Sequence, residues 1–362
     1  MRKILISGYY GFGNIGDEAI LASTVAAFRA KDPDIEITAL SQSPEITSRS
    51  YNIRALPRMS LFGVLGAIRE TQVTVFGGGS LLQDSTSFRS LAYYLSILFL
   101  CHLFKTPVVV YANGIGPLKS TIGKYLTRLA LSGAREITVR DEESLDALRS
   151  IGLKRPVKVT ADPAFLLDPV PNDRTDEILR NMGVSGSPVW FALRPGKAPE
   201  EFYRSLVKSA LGIRSQGLEP CLMVMQERDL GLVQYYNQQL SELGEEPVPW
   251  VSGLSPAEAL GVLQRGKFCV GMRLHTLILS ARAGVPFLGV EIDPKIGAFC
   301  RMTCCPVLPN PNSTAYDAEK AVYSLAKNRV SLARNLKESL PRFISLAAEN
   351  VDIVLSVLDS TC

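Results

Sequence analysis

Residues 3–20 read KILISGYYGFGNIGDEAI. An apolar run, KILISGY, ends in three glycines, Gly11, Gly13 and Gly16, and a helix is expected from Gly16 to about Ala30. Strand, tight glycine turn, helix is how a parallel α/β sheet opens. The same grammar recurs outward from this stretch. EITALS (36–41) precedes a helix around Leu61–Glu70, and QVTVF runs into Gly77-Gly78-Gly79-Ser80. An apolar helix then leads to PVVVYANGIG (107–116), a helix ending near Ser132, EITVR (136–140), DEESLDALRSIG and VKVTAD (157–162). Short apolar strands joined by helices predict a parallel sheet covered on both faces, with right-handed crossovers.

The pattern breaks at 167–188, LDPVPNDRTDEILRNMGVSGSP, where Pro, Gly, Asn and Asp concentrate and a domain junction is expected. It then restarts with VWFALRP, EPCLMVMQ, VPWVSG, KFCVGMR and PFLGVEI, each separated by helical sequence. The predicted fold class is α/β, with two doubly wound Rossmann-like domains facing a cleft at the C-terminal strand ends of both sheets. The expected divisions are an N-terminal domain over 1–170, a linker over 171–187, a second domain over 188–340 and a C-terminal helix over 341–362.

With 362 residues, 46% hydrophobic and 20% charged, the chain has enough material for two cores. A net charge of +4 without a Lys/Arg cluster on one element argues against nucleic acid as a partner. Seven cysteines at scattered positions show no zinc spacing, and free thiols suit a reducing compartment. Met-Arg-Lys leads straight into a strand with no apolar signal core, so a cytoplasmic location is expected. Residues 91–104, LAYYLSILFLCHLF, are too short for the ~20-residue bilayer span. They read as a buried helix, or alternatively as a helix face resting peripherally on the inner side of the membrane.

Gly11, Gly13 and Gly16 have dinucleotide-binding spacing, but the second strand ends ITALSQS without the acid that would hold a ribose. The glycines are therefore read as a turn feeding a helix N-terminus able to hold an anion, with Asn14 and Asp17 on the turn. Capping is the alternative role for Asp17. Gly77, Gly78, Gly79 and Ser80 offer backbone N–H groups to a phosphate or carboxylate. Three arginines end strands: Arg140 in EITVR, Arg194 in VWFALR and Arg273 in KFCVGMR. Guanidinium forks at strand ends suit a ligand carrying carboxylate and phosphate. A local ion pair is the alternative for any one of them, most of all for Arg140 beside Asp141 and Glu142.

His102 lies mid-helix among Leu, Cys and Phe and reads as structural, whereas His275 opens the helix LHTLILSARAG two residues after Arg273. His275 is the candidate proton donor and acceptor, with a helix-start histidine that only bonds the backbone as the alternative. Lys295, in EIDPKIGAF, is the candidate phosphate contact, with a solvated loop lysine as the alternative. No metal cluster and no G-x-S-x-G elbow appears, so neither a metal cofactor nor a serine hydrolase is expected.

Together GYYGFGNIGDEAI, VFGGGSLLQD, NGIGP, VRDEESLDAL, ADPAF, ALRP, GMRLHTLILSARAGVPFLGV and DPKI resemble the polysaccharide pyruvyl transferase family, most closely its CsaB-like group. The resemblance implies a GT-B-like fold, phosphoenolpyruvate as co-substrate and no other cofactor. It implies a 4,6-ketal product on an N-acetylmannosamine of a lipid-linked cell-wall precursor. It makes His275 the catalytic acid/base, and Arg140, Arg194, Arg273 and Lys295 the donor-binding cations. Asn14, Asp17 and Gly77–Ser80 are left for the acceptor or an anion. Rival readings are a GT-B nucleotide-sugar glycosyltransferase, in which Glu291 would hold a ribose, and a non-catalytic sugar- or phosphate-binding protein. A dinucleotide oxidoreductase ranks last, for want of the ribose acid.

Overall fold

The computed structural model describes residues 2–85, 87–309 and 318–361. The chain divides into two compact units. The first is Met1–Gly13, Asp17–Leu166 and Arg342–Cys362; the second is Asn14–Gly16 and Leu167–Pro341.

Among the described residues, the first unit has strands β1 (Lys3–Tyr10), β2 (Glu36–Ser41), β3 (Arg54–Pro57), β4 (Val73–Gly77), β5 (Val108–Asn113), β6 (Glu136–Val139) and β7 (Lys158–Val159). They form one parallel sheet in the order β3-β2-β1-β4-β5-β6-β7. Connecting helices are α1 (Ile15–Lys31), α2 (Pro44–Tyr51), α3 (Leu61–Glu70), α4 (Phe88–Leu103), α5 (Thr121–Ser132) and α6 (Glu142–Ser150). Every residue of β4 and β5 is buried, as continuous apolar strands under two helical layers should be. Local sequence sets the helix starts: Ser60, Ser120 and Asp141 accept N–H bonds from Gly63, Gly123 and Ser144. Strand order reverses between β1 and β4, so the two glycine turns sit at the switch point of this sheet.

The apolar stretch 91–104 falls in α4, which buries Leu91, Tyr94, Leu95, Ile97, Leu98 and Cys101. No helix among the described residues is long and apolar enough to cross a membrane. His102 Nε2 lies 2.7 Å from the Ala130 carbonyl oxygen, a structural contact. The buried thiols behave as small hydrophobes: burial pushes Cys101 up to about 11 and Cys269 up to about 12. Cys362 lies outside the described residues.

The second unit contains β8 (Pro188–Ala192), β9 (Glu219–Met223), β10 (Trp250–Val251), β11 (Phe268–Gly271), β12 (Phe287–Val290) and β13 (Val307–Leu308). These are also parallel, in the order β10-β9-β8-β11-β12-β13, with the switch point between β8 and β11. Its helices are α7 (Asn172–Asn181), α8 (Glu200–Arg214), α9 (Leu230–Glu242), α10 (Pro256–Gln264), α11 (Leu274–Arg282) and α12 (Pro294–Met302). Residues 171–187, expected as a linker, contain α7, which packs on α10 inside this unit. A capping box between Ser255 and Glu258 starts α10. The edge strands β3 and β13, polar or very short, were not anticipated.

The last helix, α13 (Ala318–Asp359), is continuous through the expected 340/341 boundary and contains Pro341. The units divide beside that proline, and the helix from Arg342 onward packs in the first unit. There Phe343 stacks on Phe165 with ring centroids 4.9 Å apart. Fully buried Asn350 accepts from the Thr138 hydroxyl (2.6 Å) and the Thr160 hydroxyl (2.9 Å), and donates to the Ala161 carbonyl (3.2 Å). Asn350→Ala is expected to destabilise the first unit by about 1–3 kcal/mol, read by urea unfolding. The low end is favoured, because both hydroxyls also reach backbone carbonyls of Val110 and Val139.

Candidate functional site

Two polar clusters form, one at the C-terminal strand ends of each sheet. In the first unit Phe76 pairs with Ser7, so the chain leaves β1 and β4 at neighbouring levels. The buried Tyr10 hydroxyl donates to the Gly77 carbonyl (2.9 Å) and ties the two turns together. Glu18 braces the first turn, accepting from the Gly11 N–H (2.7 Å) and the Tyr51 hydroxyl (2.9 Å). Burial raises the Glu18 carboxyl, and those two bonds pull it back. Gly78 and Gly79 have φ of +74° and +77°, and a side chain on Gly79 would stand 2.9 Å from an Asp17 oxygen. Asp17 is thus brought against the glycine run, itself 8% exposed.

Arg140, one residue past β6, joins this group. Its Nη2 donates to Ser80 Oγ (2.9 Å), its Nη1 to Asp162 (2.9 Å), and its Nε lies 3.4 Å from Asp141. A side chain at Gly114 would meet Nη2 at 2.7 Å and Ser80 Oγ at 2.8 Å, so that position must be bare. Burial by itself disfavours the charged guanidinium, but Asp162 and then Asp141 outweigh it and raise Arg140 above its ordinary value. Its nearest anions are therefore protein carboxylates, and through Nη2 it orients the Ser80 hydroxyl.

In the second unit, register explains the site. Ala192 pairs with Gly271, so Arg194 and Arg273 each lie two residues beyond the same rung of adjacent strands. Arg273 is bidentate to Asp229, Nε to Oδ2 at 2.8 Å and Nη2 to Oδ1 at 2.5 Å, with Asp229 nearly fully buried. Arg194 is different. It makes no salt bridge among the described residues, and its guanidinium is lowered first by burial, then by repulsion from Arg273 and Arg228. Two like charges act on this half-buried arginine, and Asp229 and Asp293 offset them only in part, which leaves a place for an anion.

Arg273 is also the N-cap residue of α11, which has no side-chain cap bond, so its first-turn N–H groups add to the positive end. His275 lies in that first turn. Residues 14–16 belong to the same unit: Asn14 Oδ1 accepts from the Gly16 N–H (3.2 Å), and a side chain on Gly16 would stand 2.4 Å from the His275 ring. Lys295 is the second residue of α12, whose N-cap Asp293 accepts the Lys295 N–H at 3.1 Å. Glu291 packs on α12, where a side chain on Gly297 would meet its carboxylate.

The structure thus sorts the sequence candidates differently from the expectation. Arg194, Arg273, His275 and Lys295 lie in the second unit, joined by Asn14, which had been grouped with Asp17. Arg140 lies in the first unit with Asp17 and Gly77–Ser80. Two residues were missed. Arg228, in the loop after β9, faces Arg194 electrostatically, but a lone arginine in QERDL carries no motif. Asn113, the last residue of β5, is fully buried with neither amide atom hydrogen-bonded. An amide ending the apolar run PVVVYA was a legible signal, since a buried unsatisfied amide is costly without a ligand or water.

A family model, polysaccharide pyruvyl transferase, matches residues 14–294 and so spans both clusters. The chain belongs to the polysaccharide pyruvyl transferase family. No curated protein matches it. Among solved structures, Anabaena Alr3699/HepE in complex with UDP and glucose is similar with a TM-score of 0.67 at 13% identity, over 98% of this chain and 100% of that one. A putative UDP-N-acetylglucosamine 2-epimerase from Listeria monocytogenes gives 0.63 at 14%, over 96% and 94%. A glycosyltransferase from Rickettsia africae gives 0.64 at 9%, over 99% and 98%. At such identities these likenesses establish the fold alone: this pyruvyl transferase family member has the two-Rossmann architecture of GT-B-like enzymes.

Proposed function

We propose that this pyruvyl transferase family member takes phosphoenolpyruvate as donor and closes its pyruvyl group as a cyclic ketal on two hydroxyls of a saccharide, releasing phosphate. An N-acetylmannosamine of a cell-wall precursor, held as the 4,6-ketal, is the acceptor we favour. The observation that carries the donor half is the Arg194–Arg228–Arg273 cluster. A ligand bearing both carboxylate and phosphate relieves its repulsion, and Lys295, at the start of α12 in the same unit, is the further donor-binding cation the family resemblance implies. Asp17, Ser80 and Asn113 of the first unit offer the short acceptor and donor groups that sugar hydroxyls and amides need.

In the proposed reaction the protonated His275 delivers its proton to C3 of the enol phosphate as one acceptor hydroxyl adds to C2, and the hydroxyl's own proton returns to the neutral imidazole. The cations hold carboxylate and phosphate on either side of the developing positive C2. The second hydroxyl then attacks C2, its proton is lost to base, and the C2–O bond to phosphate breaks. The test is a thermal-shift titration with phosphoenolpyruvate, UDP-sugars and NAD, followed by phosphate-release assays with amino-sugar acceptors. Stabilisation by phosphoenolpyruvate is expected. In Arg194→Ala its apparent affinity should fall about ten- to a hundredfold, the cost of lost charge-assisted bonds. Stabilisation by a UDP-sugar and not by phosphoenolpyruvate would transfer the site to glycosyl transfer.

A further inference from the structure

The chain nets only +4, yet residues 58–135 hold eight Lys and Arg against two acids, Glu70 and Asp84. Four of these cations, Arg58, Arg89, Lys119 and Lys124, lie just before or in the first turns of α3, α4 and α5, and the other four lie toward the ends of those helices or before β6. One of its two acids is occupied: Asp84 accepts the N–H groups of Lys119 (2.6 Å) and Ser120 (2.8 Å) at the start of α5. The excess of cations is therefore local, and mild overall charge conceals it.

The same side exposes large apolar residues at a particular level. In a parallel sheet each connecting helix starts where a strand leaves, at the C-terminal edge. Met59, Leu61 and Phe62, at the start of α3, are 74%, 61% and 88% exposed. Phe88 opens α4 at 45%, and Ile122 and Tyr125, early in α5, are 64% and 55% exposed. The three helix starts adjoin. The Tyr93 hydroxyl donates to the Arg58 carbonyl (3.0 Å), and the Arg58 guanidinium lies 4.1 Å over the Tyr93 ring, fastening α3 to α4. Gly123 of α5 lies against Asp84 and the Leu91 side chain, fastening α5 to α4. Solvated apolar tips on three neighbouring elements exceed the scatter of single exposed hydrophobics found on ordinary surfaces.

We infer that this face docks on an anionic lipid bilayer, with Phe62, Met59 and Ile122 entering the interface and Arg89, Lys119 and Lys124 meeting headgroups. Cations interleaved with exposed apolar residues at the starts of neighbouring helices are the pattern of interfacial binding, and α4, with its inner face buried, packs against both α3 and α5 as their support. The face lies at the strand-end edge that also carries Gly77–Ser80 and Arg140, so docking would bring that edge near the lipid headgroups. The inference rests on these residues and not on the pyruvyl-transfer reading, and its test does not measure turnover.

The full chain is sedimented with vesicles of phosphatidylcholine alone or with added phosphatidylglycerol, at low and high salt. Binding is expected only with the anionic lipid and should weaken with salt. K119Q/K124Q should weaken it about tenfold or more, and F62S/I122S should abolish it. Matching thermal melts confirm that these surface variants fold. Absence of binding to anionic vesicles, or binding that neither double variant alters, overturns the proposal. A dimer that F62S/I122S dissociates, without vesicle binding, also overturns it and assigns the face to a second copy of the chain.

Discussion

His275→Ala is expected to lower phosphate release from phosphoenolpyruvate in the presence of acceptor by about 10²–10⁴-fold, the usual worth of a positioned acid or base. Donor binding should survive. His275 sits in the first turn of α11, whereas the charge cluster is made by Arg194, Arg228 and Arg273. Arg273 is held by two bonds to Asp229, and Arg194 by the pairing of β8 with β11. Phosphoenolpyruvate should therefore raise the melting temperature of His275→Ala about as much as that of the parent chain. Loss of both turnover and stabilisation would make His275 a ligand contact. Turnover within about tenfold of the parent would remove it from the proton-transfer step. Gly16 offers an independent approach to the same side chain, since an added methyl would meet the ring at 2.4 Å.

Asp162→Ala is expected to cost about 3–5 kcal/mol of stability, because it leaves Arg140 buried without its closest anion. Both side chains of this pair are under 5% exposed, and Nη1 reaches Oδ2 at 2.9 Å. Asp141, 3.4 Å from Nε and also the N-cap of α6, compensates only in part. A second variant separates charge burial from loss of packing. Arg140→Met combined with Asp162→Leu removes both charges, and it should recover most of the lost stability while leaving Ser80 without its Nη2 donor. Urea unfolding reads both variants. A cost below about 1 kcal/mol for Asp162→Ala would mean that water or Asp141 meets the charge and that the pair does not hold the cluster together.

Much of the architecture was legible in the sequence because it follows from local rules. Runs such as VTVFG and VVVYAN are apolar at every position, which is the mark of a strand covered on both faces, and both are fully buried. Ser60, Ser120 and Asp141 cap the starts of α3, α5 and α6 through bonds to N–H groups three residues on. The reading of 171–187 as a linker followed composition, and composition missed α7. That helix is polar, with Thr175, Ile178 and Leu179 buried, and it is stabilised by packing on α10. The 340/341 boundary was equally invisible, since α13 continues through Pro341 and its later half is held in the first unit by Phe343 and Asn350.

Local sequence sets most of the order of strands and helices (β3, β13, α2 and α7 excepted), the parallel sheets, both glycine turns and the strand-end positions of Arg140, Arg194 and Arg273. These depend on neighbours a few residues away. Which of those arginines face an anion of the protein, and which face each other, depends on contacts between distant parts of the chain. Asp162 reaches Arg140 across 22 positions and Asp229 reaches Arg273 across 44, each delivered by a loop at the end of another strand. Arg228 is brought near Arg194 in the same way, and Asn113, at the end of β5, is fully buried by its neighbours. Coulomb energies and desolvation act through space, so the charge state of a strand-end arginine is set by sheet register and loop packing, which no local pattern of residues encodes.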